Sequence, residues 1–135
     1  KPFYGRNPWP ELNGFQTTFD RYKTEMDDLN MKLIQLFAMS LGFPQNYFFN
    51  GPNMLFSADQ LLEIVLWHYM PITSNASNGI YATGEHSDWN FLSVLAVDDE
   101  HGISHGLQVQ TADGIWHDLQ HKKDLLIVNS GNMAR

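Results

Sequence analysis

No cysteine occurs among the 135 residues. That excludes disulfide scaffolds, thiolate zinc centres and cysteine nucleophiles, and it fits a cytoplasmic location. Positive charge is also scarce: 8 Lys and Arg stand against 15 Asp and Glu, a formal charge of −7. Such a chain lacks the electrostatic footprint for nucleic acid or anionic lipid, so neither nucleic acid nor a membrane is expected as a partner. No apolar run approaches the roughly 18 residues of a membrane span, and no signal or transit peptide is visible. Charged residues make up 17% and hydrophobic residues 43%, a balance that excludes a disordered chain. Missing too are the phosphate loop Gly-x-x-x-x-Gly-Lys-Ser/Thr, the dinucleotide fingerprint Gly-x-Gly-x-x-Gly, His-Glu-x-x-His and the Gly-x-Ser-x-Gly elbow. Nucleotide cradles and serine hydrolase sites are therefore unsupported.

What remains is the length and patterning of one globular domain able to bury a sizeable core. Residues 1–14 are turn-rich, with Trp9 set between Pro8 and Pro10. A tryptophan so placed is expected to pack rather than wave in a flexible arm. Phe15, Phe19, Tyr22, Met26, Leu29, Leu33, Leu36/Phe37 and Leu41 then recur at spacings of three and four. They predict a helix with one apolar face, started by Thr17 or Thr18 and stopped by Gly42 and Pro44. Pro44 to Phe48 reads as a short helical turn. Leu61 to Tyr69 is rich in strand formers, and residues 73–79 form a polar loop. Four strand-like runs follow at close spacing: Phe91–Val97, Gly106–Gln110, Ile115–Leu119 and Leu125–Asn129. Ala112-Asp113-Gly114 between two of them signals a hairpin. A leading helix followed by evenly spaced short strands predicts an α+β, mainly β architecture: a helical layer on a β-sandwich or jelly roll.

The residues with most chemical content lie in Glu85-His86-Ser87-Asp88-Trp89. On an extended strand, residues two apart project from one face. His86 and Asp88 would then present a nitrogen and a carboxylate oxygen together. That mixed donor set suits a first-row ion such as Fe(II), and one more histidine would complete a facial triad with open positions. The alternative for so short a motif is an ordinary solvated loop.

Context favours the metal reading. Gly84 precedes the pair, and Phe91-Leu92-Ser93-Val94-Leu95-Ala96-Val97 follows it. Then come Gly106-Leu107-Gln108-Val109, Asp113-Gly114-Ile115-Trp116 and Val128-Asn129-Ser130-Gly131-Asn132. This order resembles the isopenicillin N synthase-like branch of the 2-oxoglutarate/Fe(II)-dependent dioxygenases. Its members carry His-Thr-Asp, a Leu-Thr-x-Leu strand, Gly-Leu-Gln-Val, Asp-Gly-x-Trp and Val-Asn-x-Gly-Asp. Upstream, Asn7-x-Trp9-Pro10, Leu41-Gly42-Phe43-Pro44 with Tyr47-Phe48, and His68-Tyr69-Met70-Pro71 look like the corresponding family segments, so the likeness covers essentially the whole chain.

The resemblance implies a double-stranded β-helix (jelly roll, cupin-like) with a packed leading helix. Residues 1–56 would be the helical segment and 57–135 the first part of the barrel, incomplete at its C-terminal end. It implies Fe(II) held by His86 and Asp88, and Tyr69 contacting the carboxylate of 2-oxoglutarate. O2 would be activated there to oxidise a small organic substrate, with release of succinate and CO2. Within the family, isopenicillin N synthase dispenses with 2-oxoglutarate. Some residues depart from the pattern: His68 replaces the usual Asn, Asn132 the usual Asp, and residues 98–105, with His101 and His105, lengthen a turn. The family's third ligand, a histidine, and its Arg-x-Ser are expected beyond Arg135, since neither His117 nor His121 is followed by Arg-x-Ser. On this reading the chain is a piece cut at both ends. The competing expectation is a non-catalytic jelly-roll domain that binds a ligand or partner without a complete metal site.

Overall fold

A computed structural model describes residues 5–50, 63–69, 81–97, 106–120 and 122–134. The chain divides into two compact units, Lys1–His68 and Tyr69–Arg135. The expected boundary at 56/57, the loop 73–79, the turn at Asp98-Asp99, His101, His105 and His121 lie outside the described residues.

In the first unit, helix α1 runs over Phe15–Ser40. Its start differs from the sequence expectation. Gly14, at φ +78°, is the N-cap, and no side chain caps the helix, so neither Thr17 nor Thr18 does. The backbone does this work instead: Phe15 N–H donates to Leu12 C=O (3.1 Å) and Thr18 N–H to Gly14 C=O (2.9 Å). Only a residue at ease with positive φ can make that entry. Trp9 packs its ring edge-on to Phe19 with centroids 5.1 Å apart and lies 6.3 Å from Phe15, so the tryptophan between prolines is packed as expected.

The helix stops where the sequence predicts. Gly42 sits at φ +79°. Its N–H donates to Met39 C=O (3.0 Å), and Phe43 N–H donates to Ala38 C=O (3.0 Å). This double closure is a Schellman motif, which satisfies the last helical carbonyls. Phe43 then stacks on Tyr47 at 4.1 Å, leading into a 3-10 helix, Tyr47–Phe49. The folding-back of this turn shifts the buried face. Ile34 and Ala38 are the buried apolar side chains among the described residues, while Leu36 and Leu41 stay more than half exposed. Phe48 meets Phe37 at 6.3 Å, so the returning segment covers the Ile34–Phe37–Ala38 side rather than the whole predicted stripe.

The second unit contains four short strands: β1 (Leu92–Leu95), β2 (Gln108–Gln110), β3 (Trp116–Asp118) and β4 (Ile127–Ser130). The first three fall inside predicted strand-like runs, and β4 begins inside the fourth, Leu125–Asn129, but extends one residue past it to Ser130. Residues 63–69, by contrast, adopt no strand. Two antiparallel pairs form, β1 with β4 and β2 with β3. In the first, Ser93 faces Asn129 and Val94 faces Val128. In the second, Gln108 faces Asp118 and Gln110 faces Trp116. The predicted hairpin turn joins β2 to β3: Gly114, at φ +83°, donates its N–H to Thr111 C=O at 2.9 Å. A further 3-10 turn, Asn132–Ala134, follows β4. Among the described residues one long helix and two small antiparallel strand pairs thus form the α+β content that the sequence predicts, with more helix than strand.

Candidate metal centre

His86 and Asp88 lie in the irregular segment leading into β1, not on a strand as the spacing argument assumed. Ladder hydrogen bonds therefore do not hold them. Instead Asn132 N–H, from the turn after β4, donates to Asp88 C=O at 2.7 Å, and Gly131 N–H donates to Phe91 C=O at 3.0 Å. Met133 N–H adds a bond to Asn90 C=O at 3.2 Å. The two backbones approach so closely that a Cβ on Gly131 would lie 2.1 Å from the Asn90 carbonyl oxygen. Glycine is the residue that permits this contact.

Although the backbone is irregular, the two side chains converge. His86 Nε2 lies 3.5 Å from Asp88 Oδ1. The other ring nitrogen, Nδ1, lies 2.9 Å from Gly84 C=O. A carbonyl oxygen only accepts, so Nδ1 carries the proton and the neutral ring has its lone pair on Nε2. Backbone anchoring of one ring nitrogen is how metal-ligating histidines are commonly oriented. Two atoms bound to one ion at about 2.1 Å sit about 3.0 Å apart at a right angle and about 3.4 Å apart at a tetrahedral angle. The observed 3.5 Å lies just beyond the tetrahedral value and about 0.5 Å beyond the right-angle one, and the nitrogen–oxygen donor set suits a first-row divalent ion. The donor chemistry of the pair thus suits the metal that the resemblance implies. Among the described residues no group of three His, Cys, Asp or Glu side chains converges.

Asp88 is half-buried and His86 exposed. The second carboxylate oxygen, Oδ2, accepts hydrogen bonds from Ser93 Oγ and from Asn129 Nδ2, the latter at 2.9 Å. The Ser93 hydroxyl in turn accepts from Asn90 Nδ2 at 2.8 Å. The Ser93 bond, then the Asn129 bond, hold the Asp88 carboxyl below the usual carboxylate range. Partial burial pushes the other way, and the positive charge that His86 carries when its ring is protonated adds a smaller lowering. Asp88 is thereby kept ionised, the state a metal ligand requires. Ser93 and Asn129 were not singled out from the sequence. The available signal was a polar residue inside one apolar run, Leu92-Ser93-Val94-Leu95, and one ending another, Leu126-Ile127-Val128-Asn129.

Tyr69 lies in the same unit as the pair. Its hydroxyl bonds to Thr83 Oγ1 at 3.1 Å, three residues before His86. Trp89, beside Asp88, is 83% exposed. His117 stands on β3, opposite Val109.

No protein-family model matches the chain, and no solved structure matches it. Curated proteins do. Clavatol oxidase of Penicillium crustosum is 31% identical over 134 residues, covering 93% of this chain and 37% of that protein. Azadirone synthase of Melia azedarach is 27% identical, covering 97% of this chain and 40% of that protein. Isopenicillin N synthase of Streptomyces griseus is 28% identical, covering 96% and 40%. The chain spans about 40% of the length of these relatives. With the motif order and the converging His-x-Asp pair already in place, these similarities show that the chain belongs to the isopenicillin N synthase-like, 2-oxoglutarate/Fe(II)-dependent oxygenase family.

Proposed function

We propose that residues 1–135 contribute to a non-haem Fe(II), 2-oxoglutarate-dependent oxygenase acting on a small organic substrate. The observation that carries this reading is the 3.5 Å approach of His86 Nε2 to Asp88 Oδ1, with the histidine tautomer set by Gly84. His86 and Asp88 would hold the metal, and Tyr69 would bind a carboxylate of the co-substrate through the hydroxyl that Thr83 orients. When bound, Fe(II) supplies the coupling of O2 reduction to decarboxylation of 2-oxoglutarate, giving succinate and CO2 and placing one oxygen atom in a substrate C–H bond. The protein's own part is to present two anchored ligands and to orient what binds beside them. The four strands, on this reading, belong to a double-stranded β-helix, as the relatives' family implies.

The test uses the protein that contains this chain, with His86→Ala and Asp88→Ala variants. Bound Fe(II) and succinate formed from 2-oxoglutarate under O2 are measured. Both variants should lose iron and turnover together. Retained iron and turnover in either one would overturn the ligand assignment. Iron-dependent oxidation that proceeds without 2-oxoglutarate would overturn the co-substrate alone. Wild-type protein that binds no iron would favour a non-catalytic binding domain.

A further inference from the structure

We infer that Ser93 and Asn129 are positioning residues that fix the Asp88 carboxylate so that Oδ1 alone is offered to a metal ion beside His86. This inference rests on the ligand assignment just proposed and extends it to side chains that touch no metal.

The argument begins with the freedom of a carboxylate. Its terminal torsion is broad, so an unanchored Asp presents either oxygen, or both, with little preference. Here the two oxygens are distinguished. Oδ2 accepts from Ser93 and from Asn129, while Oδ1 is the atom 3.5 Å from His86 Nε2. Oδ2 is thus committed to two donors and Oδ1 faces the imidazole.

The direction of the serine bond is decided by its neighbour. Ser93 Oγ accepts from Asn90 Nδ2, so its single proton is available to Asp88. Both donors to Oδ2 are neutral, which leaves the carboxylate its full charge for a cation. The sheet register explains why two residues 36 positions apart reach one oxygen. Ser93 and Asn129 are directly opposed on β1 and β4, and opposed residues of an antiparallel pair project from the same face. A slip of β4 by one residue would turn Asn129 away from the face that Ser93 occupies. The main chain is held separately, through Asn132 N–H to Asp88 C=O and Gly131 N–H to Phe91 C=O. Altering either side chain therefore removes the orientation of the carboxylate without removing the bonds that place Asp88.

The test is Mn(II) affinity, read from the fall of the hexaaqua-ion EPR signal on titration into the protein that contains this chain. Ser93→Thr keeps a hydroxyl and Ser93→Val is its match in shape without one. Asn129→Leu removes the amide donor at an exposed strand position. We expect Ser93→Thr to bind Mn(II) like wild type, and Ser93→Val and Asn129→Leu to bind about 10- to 100-fold more weakly, the usual range for lost partners of metal ligands. Melting midpoints of the metal-free proteins, compared for the Thr and Val variants, separate lost orientation from lost folding. If Ser93→Val does not stay folded, the Asn129→Leu affinity decides alone. Equal affinities for the Val, Leu and wild-type proteins, with binding still abolished by Asp88→Ala, would overturn the positioning role and leave the ligand assignment standing. Mn(II) binding indifferent to Asp88→Ala would overturn both.

Discussion

The two strand pairs of the second unit are alike in size and opposite in construction. Strands β2 and β3 are joined by a five-residue turn, closed by bonds within residues 111–115 and by Gln110 Nε2 donating to Gly114 C=O. Strands β1 and β4 are separated by more than thirty residues, and beyond their own ladder they are joined by the backbone of residues 131–133 bonded to residues 88–91 and by the Asn129 side chain bonded to Asp88. The local pair carries no candidate chemistry. The distant pair carries Asp88, its two hydrogen-bond donors and the glycine contact that holds the loop. A hairpin gains its register cheaply because the loop that must be closed is short. A long-range pair pays more chain entropy, but it can bring a ligand and its supporting donors together from separated parts of the sequence, as this one does for Asp88.

Exchanging the aspartates at the two pairs breaks this contrast most sharply. Asp88→Ala should abolish iron binding and turnover, whereas Asp113→Ala, in the hairpin turn, should leave both at wild-type levels. Iron content and succinate formation measured side by side check it. If the two variants lose activity equally, the site is not confined to the long-range pair.

The glycines come next. At Gly131 an added Cβ would lie 2.1 Å from the Asn90 carbonyl oxygen, so Gly131→Ala must push the β4 end away from the His-x-Asp loop. Overpacking of this kind costs about 1–3 kcal/mol. The expected result is faster hydrogen exchange at the amides of Asn132 and Met133, with the β2–β3 amides unchanged. At Gly114 a Cβ would meet nothing within 4 Å, but φ is +83°. Gly114→Ala therefore costs only the strain of a left-handed alanine, about 1 kcal/mol. It should speed exchange at Thr111 and Leu119 while sparing Asn132. Exchange that rises throughout the unit in either variant would mean that the two pairs open as one.

How much of this was legible in the sequence follows the same division. The β2–β3 hairpin could be read directly, because Ala112-Asp113-Gly114 carries its own turn chemistry. The helix stop could be read too, since Gly42 supplies the positive φ that the Schellman closure needs. The helix start could not. Its cap is a backbone turn through Leu12 and Gly14, and hydroxyl residues nearby were a misleading signal. Helical periodicity predicted an apolar face but not which part of it the returning turn covers, so Leu36 and Leu41 were assigned to a core in which Ile34 and Ala38 sit. His86 and Asp88 were legible as a pair by spacing, though for the wrong reason, since no strand aligns them. Ser93 and Asn129 were not legible as partners of Asp88. Their joint action depends on the β1–β4 register, and register between distant strands leaves no local mark on the sequence.

Acid should reveal the gentlest difference between the pairs. Both supporting carboxyls titrate below the usual 3.8 of an aspartate. Asp113 does so through the Thr111 hydroxyl and then the Ile115 N–H, and Asp88 through the Ser93 hydroxyl and then the Asn129 amide. A carboxyl lowered by folding contributes stability that is present above its unfolded pKa and is lost as pH falls through its folded value. On acidification the Ile115 amide resonance should therefore shift with a midpoint below 3.8 as Asp113 takes a proton and its turn bonds weaken. The side-chain amide of Asn129 should report Asp88 in the same way. Asp113→Asn keeps an acceptor oxygen but cannot titrate, so it should erase the Ile115 step and leave the Asn129 step in place. A single step shared by both reporters, still present in Asp113→Asn, would show that the hairpin and the long-range pair respond to acid as one body and that their separation is an error.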